Sequence, residues 1–162
     1  MRRTLPAVLV GLLIVAAWWL WPSDTRRIRS LLDELVSAIS VPAGESETQR
    51  ALRLAPLARG LTEDVLLDAG DGVRAIRGRE AVLGLASRLS ALSGPTLIEL
   101  TDVEVEIAEE RTSATAIAIV RVRTGGDAVI HELDDQPIQV DLVKSDGTWR
   151  VRRAAPFRVL SR

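Results

Sequence analysis

The stretch Ile76-Arg77-Gly78-Arg79-Glu80-Ala81-Val82 decides how this chain is interpreted, because it joins a strand pattern to a helix pattern. On its N-terminal side, Val65–Ala69 and Val73–Arg77 predict two short strands around Gly70-Asp71-Gly72, which is a hairpin signal. On its C-terminal side, apolar residues recur at helical spacing on one face, namely Val82, Leu85, Ala86, Leu89 and Leu92. The helix pattern ends at Gly94-Pro95, the usual order of stop signals.

Two further helices are predicted before this stretch. The first has an apolar stripe at i, i+3, i+4, i+7, i+8 and i+11, formed by Ile28, Leu31, Leu32, Leu35, Val36 and Ile39. The second begins at Ser46, which has Gln49 three residues later, the spacing of a capping box. Pro56 predicts a kink or an end in this helix, which stops by Gly60.

After Pro95 the apolar period changes from 3.6 to 2, which predicts an antiparallel meander of strands. The first strand alternates Val103, Val105 and Ile107 with acidic residues. The next three are predicted over Ser113–Arg123, Val129–Lys144 and Thr148–Val159, with a bulge at Pro137.

Strand registers follow from keeping the apolar faces together. For the first pair of the meander, this rule places Val103 opposite Ile119, Val105 opposite Ile117 and Glu99 opposite Arg123. Asp146-Gly147 is the strongest turn signal in the chain, and it places Leu142 opposite Val151 and Lys144 opposite Trp149. The predicted fold class is α+β, with three helices packed on a curved antiparallel sheet.

The order of these elements resembles the nuclear transport factor 2-like (SnoaL-like) superfamily, whose curved sheet wraps its helices into a cone. The stretch from Ile76 to Val82 is similar to the strand-to-helix junction of that family, where Gly-x-Glu-Ala opens the third helix. Gly147-Thr148-Trp149-Arg150-Val151 is similar to its last strand. The resemblance covers about residues 25–160 and implies the fold only, since this fold serves isomerases, cyclases, dehydratases and noncatalytic binding modules.

An apolar segment precedes the predicted domain. No residue from Thr4 to Ser23 is charged, and as a helix this segment spans about 30 Å, the thickness of the bilayer's hydrocarbon core. We therefore predict a transmembrane anchor over residues 1–24 and a cone-like domain over residues 25–162. The anchor residues singled out are Leu5, Gly11, Ala16, Trp18, Trp19 and Trp21, the tryptophans suiting the headgroup boundary.

A cleaved signal peptide is the alternative to this anchor, but tryptophans occupy the place where the small residues of a cleavage site are expected. Arg2 and Arg3 favour a cytoplasmic N-terminus, whereas Arg26, Arg27 and Arg29 follow on the other side. Because the tail before the span is short, we predict a single-pass protein of the cell inner membrane with a periplasmic domain. Pro22, Ser23 and Asp24 end the span and are suited to cap the next helix.

Composition excludes several functions. The sequence has no cysteine, so it offers no thiolate nucleophile and no thiolate metal site. Its net charge is −1, which does not favour nucleic-acid binding. Tyrosine is absent, and the predicted interior is aliphatic, so a pocket would lack a positioned acid, base or hydrogen-bond donor. No cofactor and no metal are predicted.

Few side chains in the sequence are candidates for catalysis, metal binding or partner contact. His131, the only histidine, could act as a base or be a structural imidazole, and with Asp134 and Asp135 it could form a metal site or a solvated turn. Asp68 and Asp71 could supply an acid or simply form a turn. A basic end could contact anionic lipid or an acidic partner, or pair with the chain's own acidic strand from Glu99 to Glu110, and its residues are Arg150, Arg152, Arg153, Arg158 and Arg162.

The leading functional prediction is a noncatalytic accessory subunit that is anchored in the membrane and docks on a larger integral membrane protein complex. A homodimer is compatible with the sequence. Two alternatives stay open: a module that binds a lipid or a small apolar ligand in its cone, and an isomerase- or hydrolase-like enzyme that uses His131 or Asp68.

Overall fold

The computed structural model describes residues 23–68, 70, 74–92, 94–126 and 129–157, with backbone alone for residues 92, 126 and 129–134. Within those ranges no helix is both long enough and apolar enough to cross a membrane. The predicted anchor, from Leu5 through Gly11, Ala16, Trp18 and Trp19 to Trp21, lies outside the described residues, as do Asp71, Arg158 and Arg162.

Three helices and six strands make up the described part of the chain. The helices are α1 (Asp24–Ile39), α2 (Glu47–Gly60) and α3 (Arg79–Leu92). The strands are β1 (Leu61–Leu67), β2 (Ile76–Arg77), β3 (Thr96–Ile107), β4 (Ser113–Gly126), β5 (Val129–Ser145) and β6 (Thr148–Pro156). They form one sheet in the order β2-β1-β6-β5-β4-β3.

The α+β class with three helices is confirmed, but the prediction of a purely antiparallel sheet is wrong. β1 pairs with β6 in parallel, with Leu61 opposite Val151 and Leu67 opposite Ala154, whereas the remaining pairs are antiparallel. The alternation of apolar and polar residues within a segment predicts that the segment is a strand, but it does not identify the neighbouring strand in the sheet. β6 pairs with β1 only after α3 and four other strands, β2 to β5, have intervened in the chain.

Both predicted helix starts are confirmed. The Ser23 hydroxyl accepts a hydrogen bond from the Arg26 backbone N–H at 3.3 Å, and this caps α1. At α2 the Ser46 hydroxyl accepts from the Gln49 N–H at 3.3 Å, while the Gln49 side chain accepts from the Ser46 N–H at 2.9 Å. These contacts satisfy backbone donors that the first turn of a helix leaves unpaired.

The predicted end of α2 at Gly60 is confirmed, and the helix does not end at Pro56, which lies inside it. Leu54 and Leu57 on either side of the proline are buried, so packing keeps the helix intact. The last residue of α2, Gly60, packs against α1. A Cβ atom at this position would lie 2.8 Å from Leu35 Cδ2, which is too close. A glycine there lets the two helices approach closely.

The register at Asp146-Gly147 is confirmed, since Leu142 pairs with Val151 and Lys144 with Trp149. Asp146 and Gly147 have φ of 52° and 74°, the positive values that a tight hairpin turn requires. The register predicted for β3 and β4 is wrong, because Thr101 lies opposite Ile119 and Glu104 lies opposite Ile117.

A β-bulge in β3 accounts for part of this difference, because the pairing shifts between Thr101 and Glu104, but the pairs on the turn side of the bulge are already displaced by one residue, with Val105 opposite Ala116. Asp102 adopts a φ of 52° there, so one extra residue is inserted and every later pair moves. Glu99 pairs with Arg121, although its carboxylate still lies 3.3 Å from Arg123. The bulge predicted at Pro137 is displaced too: Pro137 pairs with Ile119, and the irregularity falls opposite Val120–Val122.

The core consists of aliphatic side chains and one tryptophan. Ile28, Val65 and Leu142 are its largest fully buried side chains, and Trp149 is 4% exposed. The predicted apolar face of α3 is only partly buried. Val82 lies in the core, but Leu85 and Leu89 are 37% and 51% exposed, because the helix is rotated so that Ser90 is buried instead.

Candidate functional site

The concave side of the sheet is filled by its own helices. β4 presents Ala114, Ala116 and Ala118 inward, and all three are at most 5% exposed. Ile28 and Leu32 of α1 belong to the same buried cluster. Among the described residues this cluster holds hydrocarbon side chains and Trp149, so it offers no group for proton transfer.

A polar cluster closes one end of the domain, where α1 begins. Asp24 accepts hydrogen bonds from Lys144 Nζ at 2.8 Å and from Trp149 Nε1 at 3.1 Å. The Lys144 hydrogen bond, followed by that of Trp149, lowers the pKa of the Asp24 carboxyl. Lys144 Nζ also lies 5.4 Å from the centroid of the Trp149 ring, within cation–π range. These contacts fix the first turn of α1 to the β5–β6 hairpin.

A second polar cluster lies at the opposite end, where α1 ends. Glu45 receives two hydrogen bonds from Arg53, with Nε–Oε1 at 2.6 Å and Nη2–Oε2 at 2.9 Å. Arg53 also donates to the Ala38 carbonyl and, at 3.0 Å, to the Ser90 hydroxyl. The Glu45 side chain is only 4% exposed, and the Arg53 hydrogen bond lowers the pKa of its carboxyl. Arg53 thus joins all three helices.

A groove of about 670 Å³ opens beside this second cluster. Its apolar wall comes from Val41, Pro42, Leu97 and Ile98, and Leu97 is 48% exposed. Ser37, Ser40, Arg53, Thr96, Arg123 and Thr124 supply its polar atoms. Because Arg53 already makes four hydrogen bonds within the chain, we assign it a structural role in this groove.

The two predicted pocket residues do not converge. Asp68 follows β1, and its backbone N–H donates to the Ala154 carbonyl, at the level where β5 has Val140. His131 lies opposite Thr124, whereas Val140 lies opposite Ala116, so about 25 Å of strand separates the two levels. The Asp68 carboxylate instead accepts from the Gly70 N–H at 2.9 Å, which makes it a turn residue.

Asp135, for which the sequence left open a metal site with His131 or a solvated turn, forms an ion pair. Arg121 donates two hydrogen bonds to its carboxylate, at 2.9 and 2.8 Å. The Arg121 hydrogen bond lowers the pKa of Asp135. The bidentate ion pair with Arg121 accounts for the hydrogen bonds of the Asp135 carboxylate, and no metal is needed to explain them.

The basic end is arranged along the last strand. Arg150 lies opposite Val143, and Arg153 lies opposite Asp141. Arg152 and Arg153 are exposed. The acidic strand β3 is separated from β6 by β4 and β5, about 14 Å at the usual strand spacing. The sheet order therefore does not place the arginines beside the chain's own acidic strand.

Sequence reasoning missed both polar clusters. Lys144 was placed opposite Trp149, but nothing in the pattern indicated that Asp24 would meet them. Glu45 lies in a loop and Arg53 on a helix eight residues later, a spacing without a characteristic signature. The only feature of the sequence that could have indicated the Glu45–Arg53 cluster is an arginine next to the apolar stripe of α2.

Solved structures share this architecture. A protein of unknown function from Mycobacterium tuberculosis superposes with a TM-score of 0.65 at 23% identity, covering 85% of this chain and 78% of that chain. A scytalone dehydratase candidate from Novosphingobium aromaticivorans has a TM-score of 0.65 at 14% identity, covering 85% of both chains. An NTF2-like protein of unknown function from Pseudomonas putida has a TM-score of 0.61 at 17% identity, covering 83% of this chain and 85% of that chain.

The described domain therefore has the cone-like α+β fold of nuclear transport factor 2-like proteins. At these identities the likeness establishes a fold and not an activity. No family model and no curated protein sequence matches the chain.

Proposed function

We propose that this chain is a noncatalytic accessory subunit, held in the membrane by residues 1–24, whose cone-like domain docks on a larger membrane protein complex. The observation that carries the proposal is the filled interior: the positions that face into the cone are occupied by Ile28, Leu32, Ala116 and their aliphatic neighbours. Among the described residues no acid or base lies inside the cone, and such an interior suits binding better than reaction.

Three exposed leucines support docking through the helices. Leu52 is 71% exposed on α2, and Leu85 and Leu89 are 37% and 51% exposed on α3. The two helices are joined by the hydrogen bond from Arg53 to Ser90 at 3.0 Å. Exposed apolar groups of this kind are a common feature of protein–protein contact surfaces.

Replacing Leu85 and Leu89 together with serine tests this proposal. Because both side chains are already partly exposed, we expect the free energy of unfolding to fall by no more than about 1 kcal/mol. The measurement is native mass analysis of the full chain extracted from its own membranes in mild detergent. The wild-type chain should appear at a mass that is not a multiple of 17.6 kDa, and the variant should lose that complex.

The matched control is Leu97→Ser, which removes a leucine of similar exposure from the sheet and should leave the complex intact. If the wild-type chain yields only multiples of its own mass, the accessory role is wrong.

The groove of about 670 Å³ favours a second candidate, a module that binds a lipid or small apolar ligand. In that case an organic extract of the purified full chain should contain a bound amphiphile, and Leu97→Asp should reduce its yield several-fold. The exposed Leu52→Asp variant, away from the groove, serves as the control. An extract without any bound molecule from the wild-type chain excludes this candidate.

A further inference from the structure

The strand β3 forms one edge of the sheet, and among the described strands β4 is its one neighbour. Successive residues of a strand direct their backbone N–H and C=O groups to opposite sides. The N–H of Ala108, just after β3, donates to the Ser113 carbonyl at 3.0 Å, so it points to β4. Val105 and Ile107 are out of step with Ala108, and their backbone groups therefore point away from β4, to the edge.

The first half of this edge is closed by the chain itself. Val41, in the loop after α1, exchanges backbone hydrogen bonds with Thr96 at 2.7 and 2.9 Å, in the antiparallel sense. The Ser40 hydroxyl accepts from the Ile98 N–H at 3.0 Å. The edge of β3 thus accepts an antiparallel strand where the chain supplies one.

The second half of the edge is left open because α1 crosses the sheet diagonally. The helix ends beside β3 but begins at Asp24, which is hydrogen-bonded at 2.8 Å to β5, two strands away. Between these ends, Arg29 donates to the Val103 carbonyl at 2.9 Å. Among the described residues no hydrogen bond reaches the edge-facing backbone groups of Val105 and Ile107 beyond it.

The open part of the edge has an apolar side and an acidic side. Val103, Val105 and Ile107 are half-buried against the core on the inner face. Glu104 and Glu106 are exposed on the outer face, and neither forms an ion pair within the part of the chain that the structure describes. An added antiparallel strand would place every second side chain beside the apolar residues and the others beside the two carboxylates.

The charges disfavour a second copy of β3 as the occupant of this edge. If two β3 strands paired antiparallel about a two-fold axis at Val105, Glu104 of each copy would lie opposite Glu106 of the other. Like charges directly opposite one another destabilise a sheet, and edge charges commonly prevent strands from pairing with their own copies. A strand with basic residues at alternate positions meets the same carboxylates with opposite charge.

We propose that the edge of β3 at Val105 and Ile107 binds an extended segment of a partner protein in which basic and apolar residues alternate, added as an antiparallel strand. Backbone hydrogen bonds supply the affinity, and the alternating side chains supply the specificity. This inference does not rest on the proposed accessory role, because the edge is separate from the exposed leucines of α2 and α3.

A labelled synthetic peptide in which arginine alternates with valine tests this proposal. Its fluorescence anisotropy is measured as the full chain is added in a nonionic detergent at about 0.15 M salt, with empty micelles as the blank. The wild-type chain should bind the peptide saturably at micromolar concentrations. An absence of saturable binding would overturn the proposal.

Methyl groups on the peptide nitrogens separate strand pairing from simple charge attraction. In an antiparallel pair, the residues opposite Val105 and Ile107 are the valines of the peptide, and their N–H groups face β3. N-methylation of the valines should therefore raise the dissociation constant at least about tenfold, whereas N-methylation of the arginines should change it by no more than about threefold. Equal effects of the two modifications would contradict the pairing.

Variants of the chain test the same contact from the other side. Val105→Pro removes the edge-facing N–H at a position where an edge strand tolerates proline, and should raise the dissociation constant at least about tenfold. Val105→Ala, which also shortens the side chain but keeps the N–H, is the matched control and should stay within about threefold of the wild type.

Glu104→Gln combined with Glu106→Gln should raise the dissociation constant about tenfold, because the arginines lose both carboxylates. Asp33→Asn combined with Glu80→Gln removes the same charge from exposed positions on the helices and should bind as the wild type does. Circular dichroism establishes that each variant is folded. Folded edge variants that bind as tightly as the wild type would overturn the proposal, whereas the accessory role is judged separately, by a foreign mass in the native complex.

Discussion

Replacing Trp149 with alanine should lower the free energy of unfolding by about 3–5 kcal/mol, the largest effect expected from a single substitution in the core. The ring is 4% exposed and lies among the aliphatic side chains that join α1 to the sheet. Truncation leaves a cavity and removes the hydrogen bond to Asp24, whose carboxylate then keeps the hydrogen bond from Lys144 and the more distant ion pair with Arg27. Urea unfolding of the full chain in detergent, followed by circular dichroism, measures the loss.

Trp149→Phe separates the two contributions. Phenylalanine keeps most of the buried ring but cannot donate to the Asp24 carboxylate, so we expect a smaller loss, about 1.5–3 kcal/mol. A loss below about 1 kcal/mol for Trp149→Ala would mean that α1 is not held to the β5–β6 hairpin in this way.

The second large effect is expected at Arg53. Arg53→Ala removes two hydrogen bonds from the buried Glu45 carboxylate and leaves it with Arg50, whose Nε lies 3.6 Å from Oε2. Because this partner remains, we expect a loss of about 3 kcal/mol, the lower end of the range for breaking a buried ion pair. The double variant Glu45→Gln with Arg53→Met removes both charges and keeps similar volumes. The double variant should therefore be more stable than Arg53→Ala. Thermal unfolding of both variants at neutral pH measures the difference. Equal stability of the two variants would show that the pair is not buried as described.

Acid unfolding adds an independent measurement of the same pair. Because the folded pKa of Glu45 lies below its ordinary value of 4.5, the carboxylate stabilises the fold fully above that value. This stabilisation is lost as the pH falls from about 4.5 through the lower folded pKa. Glu45→Gln should flatten that part of the stability profile, and an unchanged slope below pH 4.5 would argue against the pair.

The parts of the fold that depend on local signals could be predicted. Ser46 with Gln49 and the Asp146-Gly147 turn each involve residues within a few positions of one another, so their spacing alone indicates the structure. The bulge at Asp102 could not be predicted, because a single residue with positive φ leaves the alternation of Val103 and Val105 intact and yet shifts the register.

The parallel pairing of β1 with β6 was missed for a different reason. It joins strands that are far apart in sequence, and the preference of a strand for one partner does not appear in its own residues. The same holds for the candidate site. His131 and Asp68 were plausible from residue type, but only the sheet register shows that they lie at different levels.

The contacts of Asp24 constrain when the domain can assemble during synthesis. Asp24 lies in the first turn of α1, whereas its partners Lys144 and Trp149 follow 120 and 125 positions later in the chain. The first turn of α1 therefore cannot be fixed to the β5–β6 hairpin until the ribosome has synthesised the chain through Trp149.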